Sequence, residues 1–395
     1  MQNPTAKKIN VFVDGEVLCL DHFSGIGHYT ASLLKEIDTL LEDKKYEHFN
    51  VTIGAPWRLV HRLERFGFKN ITSKKMPFGP HIANGLKRYG LLPPIDLFFG
   101  KQIYVFPHFS SWPTIMSPSV PIIYDLSFVL YPEFSEERNR SLLVKQSALS
   151  AKRANRIITI STNSKKEIAD EYAYDVEKID ILYPIISRAE FYPRSKTEIR
   201  TVKAKYGIFE EYLLYVGNIE PRKNLVTLLK AYDGLDSNLQ KKYPLLLVGA
   251  KGWKDDEIHT TIASMQARGL KVIQPNDYVG DEDMPALISG ATVFAYVSKY
   301  EGFGIPPVEA MFCGTPVVSS DNSSLPEATG NAGMMVNADS PKAITKALKS
   351  LLSDESMRRE YRDKGLKHSH NSMFKVGSNA EKFFDLITNI EIGKS

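Results

Sequence analysis

Two carboxylates, eight residues apart, flank a turn rich in glycine and proline that directly follows an apolar run. They are Glu301 and Glu309, and the turn between them contains Gly302, Gly304 and two consecutive prolines. Glycine lets backbone N–H groups come close to a ligand, and proline is well tolerated where a helix begins. We therefore expect Glu301 on a loop and Glu309 in the first turn of a helix starting near Val308, where both accept hydrogen bonds from ligand hydroxyls. Two solvated loop carboxylates are the alternative interpretation.

A second segment places two cations beside the start of a helix. An apolar run ends at Gly217 and Asn218, and Arg222 and Lys223 stand just before the next helical pattern. The arginine fork matches phosphate geometry and the lysine adds a compact charge, so a nucleotide diphosphate suits this pair. On its own, the segment is also consistent with a charged surface turn.

These residues are positioned by an alternation of short apolar runs with longer amphipathic runs. Such alternation predicts parallel sheets flanked by helices, and therefore an α/β fold. Strands are predicted at residues 9–13, 51–54, 103–106, 120–124, 156–160, 212–216, 244–248, 271–273, 291–297 and 315–319. Helices are predicted at residues 28–41, 57–66, 136–155, 224–232, 341–352 and 371–387, besides the one near residue 308.

The length of the chain and a break in this alternation indicate two domains. The chain has 395 residues, more than the roughly 100–200 of a typical single domain, and prolines interrupt the pattern between Tyr183 and Pro193. Two α/β halves joined by such a hinge place ligands in the cleft between them, at the carboxyl ends of strands.

The composition excludes several classes of protein. Hydrophobic residues make up 43% and charged residues 24%, as in a globular chain, and the net charge of +4 is too small to indicate nucleic-acid binding. Cys19 and Cys313 match no metal spacing, so a reduced, cytoplasmic protein is expected. No signal peptide and no apolar run of about 20 residues is evident. His108 and His259 lack partners at metal-ligand spacing and are expected to be structural or solvated.

One stretch is strongly basic. Residues 57–101 contain nine lysines and arginines against two acidic residues, and apolar residues recur among them from Trp57 to Phe66. An amphipathic helix with one solvated face is the simpler interpretation. The alternative is a surface that rests on anionic lipid or meets a phosphate-bearing acceptor.

Together, the glutamate and cation segments resemble family 4 of the retaining glycosyltransferases. The C-terminal half matches that family in the Glu-x7-Glu pattern of residues 301–309 and in the Gly-x3-Pro-x-Lys-Asn element of residues 217–224. Smaller matches are Val248-Gly249, Tyr278-Val279-Gly280, residues 314–318 and Leu325-Pro326-Glu327. The resemblance is strong over about residues 210–370 and looser over 1–190. Residues 217–224 look most like a bacterial branch that includes mannosyl- and rhamnosyltransferases of surface polysaccharides.

The resemblance implies the GT-B architecture, in which two Rossmann-like domains face a central cleft. It implies an acceptor-binding domain at residues 1–190, a nucleotide-sugar-binding domain at 191–370, and a C-terminal helix at 371–395 that packs back toward the N-terminal domain.

The implied enzyme is a retaining hexosyltransferase. It would move mannose or rhamnose from a nucleotide-diphosphate sugar, with GDP-mannose favoured, to a lipid-linked or polysaccharide acceptor. It would need no cofactor and no essential metal. It would work in the cytoplasm, where it could contact the inner face of an anionic membrane.

The resemblance also implies roles for the candidate residues. Arg222 and Lys223 would neutralise the leaving diphosphate. Glu309 would bind the nucleotide ribose, and Glu301 would contact the donor sugar. Catalysis would then depend on positioning and electrostatic stabilisation rather than on a covalent nucleophile.

Glycine-rich loops complete the implied donor site. Backbone groups around Gly302, Phe303 and Gly304 would face the sugar. The remaining donor-site positions are Gly217 and Asn218, together with an N-domain loop of Gly25, Ile26 and Gly27 near the diphosphate.

Three positions depart from the family pattern. Asn218 stands where relatives carry arginine, Tyr124 where the family's His-Asp-Leu-Ser-Phe element has histidine, and His28 where arginine often follows the glycine loop. The cationic role would then rest on Arg222. Asp125 is expected to act as a polar group on the acceptor or sugar side, or else as a strand-end turn residue.

An acidic run could be mistaken for a metal site. Asp281-Glu282-Asp283 resembles the Asp-x-Asp that holds manganese in a different glycosyltransferase architecture. Because Met284 and Pro285 follow it, we expect instead an N-cap with an acidic first turn.

Two other functions stay open at this point. One is a transferase that uses a small soluble acceptor such as a sugar phosphate. The other is a non-catalytic sugar-nucleotide-binding subunit, in which Tyr124 and Asn218 mark lost turnover. A nucleic-acid-binding protein is not favoured, because the sequence lacks a recognition helix and an aromatic-basic platform.

Overall fold

The computed structural model of the protein describes residues 8–21, 25–135, 137–275 and 277–392. The chain divides into two compact units. Unit 1 comprises the residues up to Ile185 together with those from Lys375 onward, and unit 2 comprises Ile186–Phe374.

Unit 1 is built on a parallel sheet of apolar strands. Five strands pair in the order β3-β2-β1-β4-β5, and a bridge between Ile122 and Ile158 leads on to the pair β6-β7. Val11 of β1, paired with Val51 and Ile103 on its two sides, has no exposed surface. The strands are β1 Ile9–Asp14, β2 Phe49–Pro56, β3 Thr72–Met76, β4 Ile103–Phe106, β5 Ser119–Pro121, β6 Ile157–Thr159 and β7 Ile179–Ile181. The helices that connect them are α1 Gly25–Leu40, α2 Pro80–Tyr89, α3 Asp96–Phe99, α4 Ser127–Leu130, α5 Glu137–Arg153 and α6 Thr162–Tyr172.

Unit 2 contains a six-stranded parallel sheet in the order β10-β9-β8-β11-β12-β13. Its strands are β8 Leu213–Val216, β9 Leu245–Val248, β10 Val272–Ile273, β11 Val293–Tyr296, β12 Val317–Ser320 and β13 Gly333–Val336. Its helices are α7 Lys196–Lys205, α8 Leu225–Asp233, α9 Ser237–Lys242, α10 Asp256–Ala267, α11 Met284–Gly290, α12 Ile305–Phe312, α13 Leu325–Thr329, α14 Pro341–Ser353 and α15 Glu355–His368. Near-continuous apolar runs such as Leu245–Val248 form these strands because helices cover both faces of a parallel sheet.

The last helix, α16 Ser378–Ile392, belongs to unit 1. The Phe384 ring stacks on Tyr46 with centroids 4.7 Å apart and also contacts Phe49. The Gly377 N–H, just before the helix, donates to Glu36 Oε1 at 2.8 Å. The final residues therefore complete the core of unit 1.

The strand order of each sheet places a crevice at a defined point. In unit 2 the chain runs from β8 outward to β10, then returns to start β11 on the other side of β8. In unit 1 the same reversal separates β1 from β4. Loops that leave neighbouring strands in opposite directions open a crevice at the carboxyl ends, where α/β proteins bind ligands.

Two helix predictions outside the candidate site are wrong in detail. Val60–Phe66 forms a 3-10 helix rather than an α-helix, and Arg62 and Arg65 donate to the carbonyls of Cys19 and Leu18. The terminal helix starts at Ser378 instead of near residue 371, because Gly377 adopts a φ of 84° directly before it.

Candidate active site

The loop after β8 is held tightly against its neighbour. The Ile219 N–H donates to the Ala250 carbonyl, and the Gly252 N–H donates to the Ile219 carbonyl. A Cβ on Gly249 would lie 1.9 Å from the Gly217 carbonyl oxygen, so only glycine permits this approach. The loop is thereby fixed, and the Asn218 side chain is exposed at its tip.

A short 3-10 helix, Pro221–Lys223, then presents the two cations. It ends at Asn224, which adopts the left-handed conformation with a φ of 60°. The Asn224 amide donates to the carbonyls of Val297 and Ala338, at 2.9 and 2.8 Å. These bonds join the cation loop to the loops that follow β11 and β13.

The loop after β11 carries Glu301. Its backbone is held by two serines of the loop that precedes α13. Ser323 Oγ accepts the Glu301 N–H at 3.1 Å, and Ser324 Oγ lies 2.8 Å from the carbonyls of Glu301 and Phe303. The carboxylate of Glu301 is therefore aimed by a fixed backbone.

Glu301 pairs with both predicted cations. Arg222 Nη1 lies 3.0 Å from Glu301 Oε2, and Lys223 Nζ lies 2.7 Å from Oε1. The Tyr296 hydroxyl, at the end of β11, lies 2.8 Å from Lys223 Nζ and donates to Glu301 Oε1 at 2.9 Å. Glu220, only 1% exposed, accepts from Arg222 Nε and Nη2. Two carboxylates and two cations thus form one charge-balanced network at the crevice of unit 2.

The network keeps Glu301 ionised. Burial by itself raises the pKa of a carboxyl group, but the positive charges of Arg222 and Lys223 overcome this effect and lower the pKa of Glu301 to about 2. Burial lowers the pKa of Lys223, and the adjacent Arg222 charge acts in the same direction. The lysine is consequently a cation whose charge depends on nearby anions.

Glu309 does not lie in the first turn of a helix. Helix α12 begins at Ile305, three residues earlier than predicted, because Pro306 and Pro307 occupy its first turn rather than preceding it. Glu309 is half-buried, and burial together with the carboxylates of Asp281 and Glu190 raises its pKa to about 8. Glu301 and Glu309 therefore differ strongly in charge at neutral pH.

The glycine turn between the two glutamates is sterically constrained. Gly304 has a φ of 103°, and a Cβ there would lie 2.5 Å from the Leu325 side chain. Phe303 is 2% exposed and its ring meets Phe374 edge-on at 6.4 Å. Gly302 is buried in the same turn. The Phe303 side chain thus anchors the turn inside unit 2.

The candidate residues of unit 1 lie in a different setting. Gly25 and Gly27 belong to helix α1, so the predicted loop is wrong for them, and Ser24 lies outside the described residues. Asp125 accepts hydrogen bonds from the N–H and hydroxyl of Ser127, as a turn residue does. Tyr124, in place of the expected histidine, is 5% exposed and its hydroxyl lies 3.4 Å from Thr30 Oγ1.

The acidic run at residues 281–283 behaves differently from the prediction. Asp283 occupies the N-cap position of α11, but its side chain does not cap the helix. It accepts instead from Lys205 Nζ at 2.5 Å and from the Tyr206 hydroxyl at 2.8 Å. These contacts tie α11 to the end of α7.

Sequence reasoning missed Tyr296 and Glu220. Both are buried polar residues next to a predicted site, and each contacts a predicted cation. A tyrosine ending an apolar strand directly before a loop was the available signal, because a buried tyrosine hydroxyl needs a hydrogen-bond partner.

The arrangement suits a ligand with a doubly charged end and hydroxyl groups. The Arg222 fork and the Lys223 ammonium can share their donors between Glu301 and phosphate oxygens. Glu301 and Glu309 supply acceptors for hydroxyls. Among the residues that the structure describes, no three histidine, cysteine or acidic side chains converge as a metal site would require.

Comparison with known proteins identifies the family. Residues 198–368 match the family described as glycosyl transferases group 1. The chain is 36% identical over 356 residues to the O-antigen chain mannosyltransferase B of Escherichia coli, covering 87% of this chain and 91% of that protein. No helix in the described part of the chain is both long and apolar enough to cross a membrane.

Solved structures share the fold. A sucrose-phosphate synthase from Thermosynechococcus elongatus superposes with a TM-score of 0.71 at 17% identity, covering 98% of this chain and 100% of that one. The Anabaena protein HepE, in complex with UDP and glucose, superposes with a TM-score of 0.69 at 16% identity, covering 96% and 100%. These likenesses confirm the predicted GT-B fold of two Rossmann-like domains. The chain belongs to the group 1 glycosyltransferases and resembles their O-antigen mannosyltransferase branch.

Proposed function

We propose that this glycosyltransferase transfers mannose, with retention of anomeric configuration, from GDP-mannose to a growing surface glycan. The network of Glu301, Arg222 and Lys223 at the crevice of unit 2 carries the proposal, because it offers two cations to a leaving diphosphate. The similarity to the O-antigen mannosyltransferase supports mannose and a polysaccharide or lipid-linked acceptor. Unit 2 would bind the donor and unit 1 the acceptor.

The proposed donor contacts follow from the site. Arg222 and Lys223 bind the diphosphate, Glu301 accepts from hydroxyls of the mannose, and Glu309 accepts from those of the ribose. Gly217, Asn218 and the turn of Gly302, Phe303 and Gly304 contribute backbone groups. Gly25 and Gly27 would approach the diphosphate from the start of α1, and Asp125 would act on the acceptor side.

The proposed reaction is a displacement at the anomeric carbon. The bond between that carbon and the phosphate oxygen breaks, and its electron pair stays on the phosphate. The acceptor hydroxyl oxygen bonds to the same carbon from the same face, and its proton passes to the leaving phosphate. Arg222 and Lys223 stabilise the negative charge that develops there, which preorganised charges do most effectively in a partly buried site. We propose that these cations make a metal unnecessary, so that a chelator leaves activity unchanged.

A direct experiment tests the donor and the chemistry. Purified protein is incubated with GDP-mannose, UDP-glucose or dTDP-rhamnose and with lipid-linked or free mannose oligosaccharides, and product is measured by mass spectrometry. We expect transfer from GDP-mannose, and its loss in Glu301→Ala with GDP binding retained in a thermal-shift assay. Glu257→Gln, an exposed glutamate of unit 2, is the matched control.

Each other outcome points to a different function. Transfer only to a sugar phosphate would favour a small soluble acceptor. Nucleotide binding without transfer to any glycan would favour a non-catalytic binding subunit.

We also propose that unit 1 contacts an anionic membrane at the cytoplasmic face. Helix α3 and the nearby loop expose Leu97, Ile115 and Met116, each more than 60% accessible. Asp96 holds this loop beside α3 by accepting the N–H groups of Ile115 and Met116. Cations of the basic stretch, Lys74, Lys75, Arg88 and Lys101, are exposed in the same unit. Exposed apolar side chains combined with exposed basic residues are typical of surfaces that bind anionic lipid.

Vesicle flotation tests this contact. Binding to phosphatidylglycerol vesicles, but not to phosphatidylcholine vesicles, is expected, and Leu97→Ser with Ile115→Ser should abolish it. Equal flotation with both lipids would contradict the electrostatic part of the proposal.

A further inference from the structure

The crevice of unit 1 contains a cluster of polar side chains to which no role has been assigned. Asp14 ends β1, and His108 follows β4, the neighbouring strand. Glu16 stands two residues after Asp14, the Lys87 charge of α2 acts on both carboxyl groups, and Lys87 Nζ donates to Ser110 Oγ. We call these five residues the Asp14 cluster. It occupies the point where the strand order of the sheet reverses, as the Glu301 network does in unit 2.

Asp14 is buried without full hydrogen bonding. It is 5% exposed, and its Oδ1 accepts the Glu16 N–H at 3.0 Å. Among the described residues no hydrogen bond or ion pair reaches its second oxygen, which is not one of the fully buried atoms. A buried carboxylate usually takes several partners, because removing it from water is costly. The free oxygen is therefore available to a ligand.

His108 and Lys87 supply donors beside this acceptor. The Ser110 N–H donates to His108 Nδ1 at 3.2 Å, which assigns the ring proton to Nε2. Burial, with a smaller contribution from the Lys87 charge, lowers the pKa of His108 to about 4, so the ring is neutral at physiological pH. Lys87 Nζ donates to Ser110 Oγ at 3.1 Å and keeps further protons available. His108, Lys87 and Glu16 are half-buried, so a ligand can reach them.

The chemistry of the cluster selects a class of ligand. Adjacent hydroxyls of a sugar each donate one hydrogen bond and accept others, and the cluster alternates carboxylate acceptors with N–H donors. Burial raises the pKa of Asp14 and raises that of Glu16 to about 7, and an anionic ligand would be repelled by whichever of the two carboxyl groups is ionised. A bare cation would meet the Lys87 ammonium. A neutral ligand with several hydroxyl groups can donate to the carboxyl groups and accept from the ammonium and the imidazole N–H.

We propose that the Asp14 cluster binds hydroxyl groups of the acceptor glycan, with Asp14 accepting and His108 Nε2 and Lys87 Nζ donating. The inference rests on the proposed function and adds to it the residues that would select the acceptor. It makes Asp14 a residue kept for binding at some cost in stability, since a buried carboxylate with few partners destabilises the folded chain.

Glycan binding without turnover provides the test. Saturation-transfer NMR is recorded on the full chain with each of the α-linked mannobioses. Asp14→Asn keeps the bond from the Glu16 N–H but removes the charge. We expect it to weaken mannobiose binding about tenfold or more while leaving the unfolding temperature equal or higher. A structural role would instead lower that temperature.

Further variants make the result decisive. His108→Ala should weaken binding similarly, so the inference is testable even if Asp14→Asn folds poorly. The controls are Asp170→Asn and His61→Ala, both exposed in unit 1. Unchanged mannobiose binding in both cluster variants, or no saturation transfer to the wild type, would overturn the inference. GDP binding and mannose transfer are measured separately, so that failure of the donor chemistry is recognised independently of glycan binding.

Discussion

At the scale of single residues, the two glutamates of the Glu-x7-Glu pattern occupy opposite electrostatic environments. Glu301 lies among cations that lower its pKa to about 2, whereas Glu309 lies among carboxylates and has a pKa raised to about 8. The pattern in the sequence predicted two ligand-binding carboxylates. It could not predict this difference, which depends on Asp281 and Glu190 reaching Glu309 through the fold.

Glu309→Gln should change stability in a pH-dependent way. Between the ordinary value of 4.5 and about 8, the unfolded chain ionises Glu309 while the folded chain keeps it protonated, so this residue lowers stability as pH rises. We expect the variant to be more stable than the wild type at pH 8 by about 1–2 kcal/mol, after a discount for partial exposure. The difference should vanish below about pH 4.5.

Urea unfolding at several pH values measures this difference, with Glu257→Gln as the control. A variant less stable than the wild type at pH 8 would show that Glu309 is stabilised by contacts rather than destabilised by its neighbours. Above about pH 8, where Glu309 is ionised, the same variant should bind GDP more weakly, because an amide is a poorer acceptor than a carboxylate for ribose hydroxyls.

Tyr296→Phe should impair catalysis without unfolding the protein. The change removes the hydroxyl between Lys223 and Glu301 but keeps the ring, which stacks on Tyr215 with centroids 6.0 Å apart. Hydrogen bonds to charged groups contribute about 1.5–3 kcal/mol, so we expect kcat to fall about 10- to 100-fold.

Steady-state kinetics with GDP-mannose, together with the GDP thermal shift, measures this effect. Tyr232→Phe is the matched control, because its hydroxyl donates to the Gln240 carbonyl within the α8–α9 region. If Tyr296→Phe and Tyr232→Phe have the same kcat, the Tyr296 hydroxyl has no part in catalysis and the residue serves only in packing.

At the scale of elements, short helices and turns fix the site more than the strands do. Apolar runs such as Leu213–Val216 and Ile103–Phe106 predicted the strands well, because burial on both faces leaves a continuous signal. The exposed edge strand Thr72–Met76 was missed because its residues are mainly polar, and Gly333–Val336 because a glycine and two methionines give a weak strand signal. The start of α12 was misplaced because a proline pair fits a first helical turn as well as the residues before it.

Gly304→Ala should destabilise the turn that carries Glu301. A Cβ at this position has both a disfavoured φ of 103° and a 2.5 Å contact with Leu325. We expect a loss of about 2–4 kcal/mol of unfolding free energy, the sum of backbone strain and overpacking. GDP binding should weaken as well.

Gly269→Ala separates these two causes. Gly269 has a φ of 86°, but a Cβ there meets no atom within 4 Å, so its substitution measures backbone strain alone. Urea unfolding of both variants gives the difference. If both variants lose the same unfolding free energy, the Leu325 side chain moves away from the new Cβ without an energetic cost.

At the scale of the whole molecule, the two units differ in the number of chain segments that form them. Unit 2 is one segment, whereas unit 1 is formed by the first part of the chain and by α16. The length and the Tyr183–Pro193 break predicted two domains, and the structure has its boundary between Ile185 and Ile186. The prediction that α16 packs on unit 1 came from the family resemblance, because the residues of an amphipathic helix do not indicate which core the helix covers.

Phe384→Ala should loosen unit 1 selectively. The ring is 1% exposed between Tyr46 and Phe49, and deletion of a buried phenyl group costs about 3–5 kcal/mol. We expect faster hydrogen exchange in α1 and β2, and unchanged exchange in β8 and β11. Hydrogen-exchange mass spectrometry measures this, with Phe209→Ala, 79% exposed in unit 2, as the control. Faster exchange in both units would mean that they unfold as one.

The return of α16 also sets an order of events during synthesis. All residues of unit 2 are translated before the codons of α16 are read, and the fold of unit 2 includes no residue of that helix. Unit 1 starts first but finishes last, with Tyr46, Phe49 and Glu36 awaiting the helix that covers them. Early termination anywhere after unit 2 would then release a chain with a folded unit 2 and an open unit 1, which chaperones and proteases would recognise by its exposed aromatic surface.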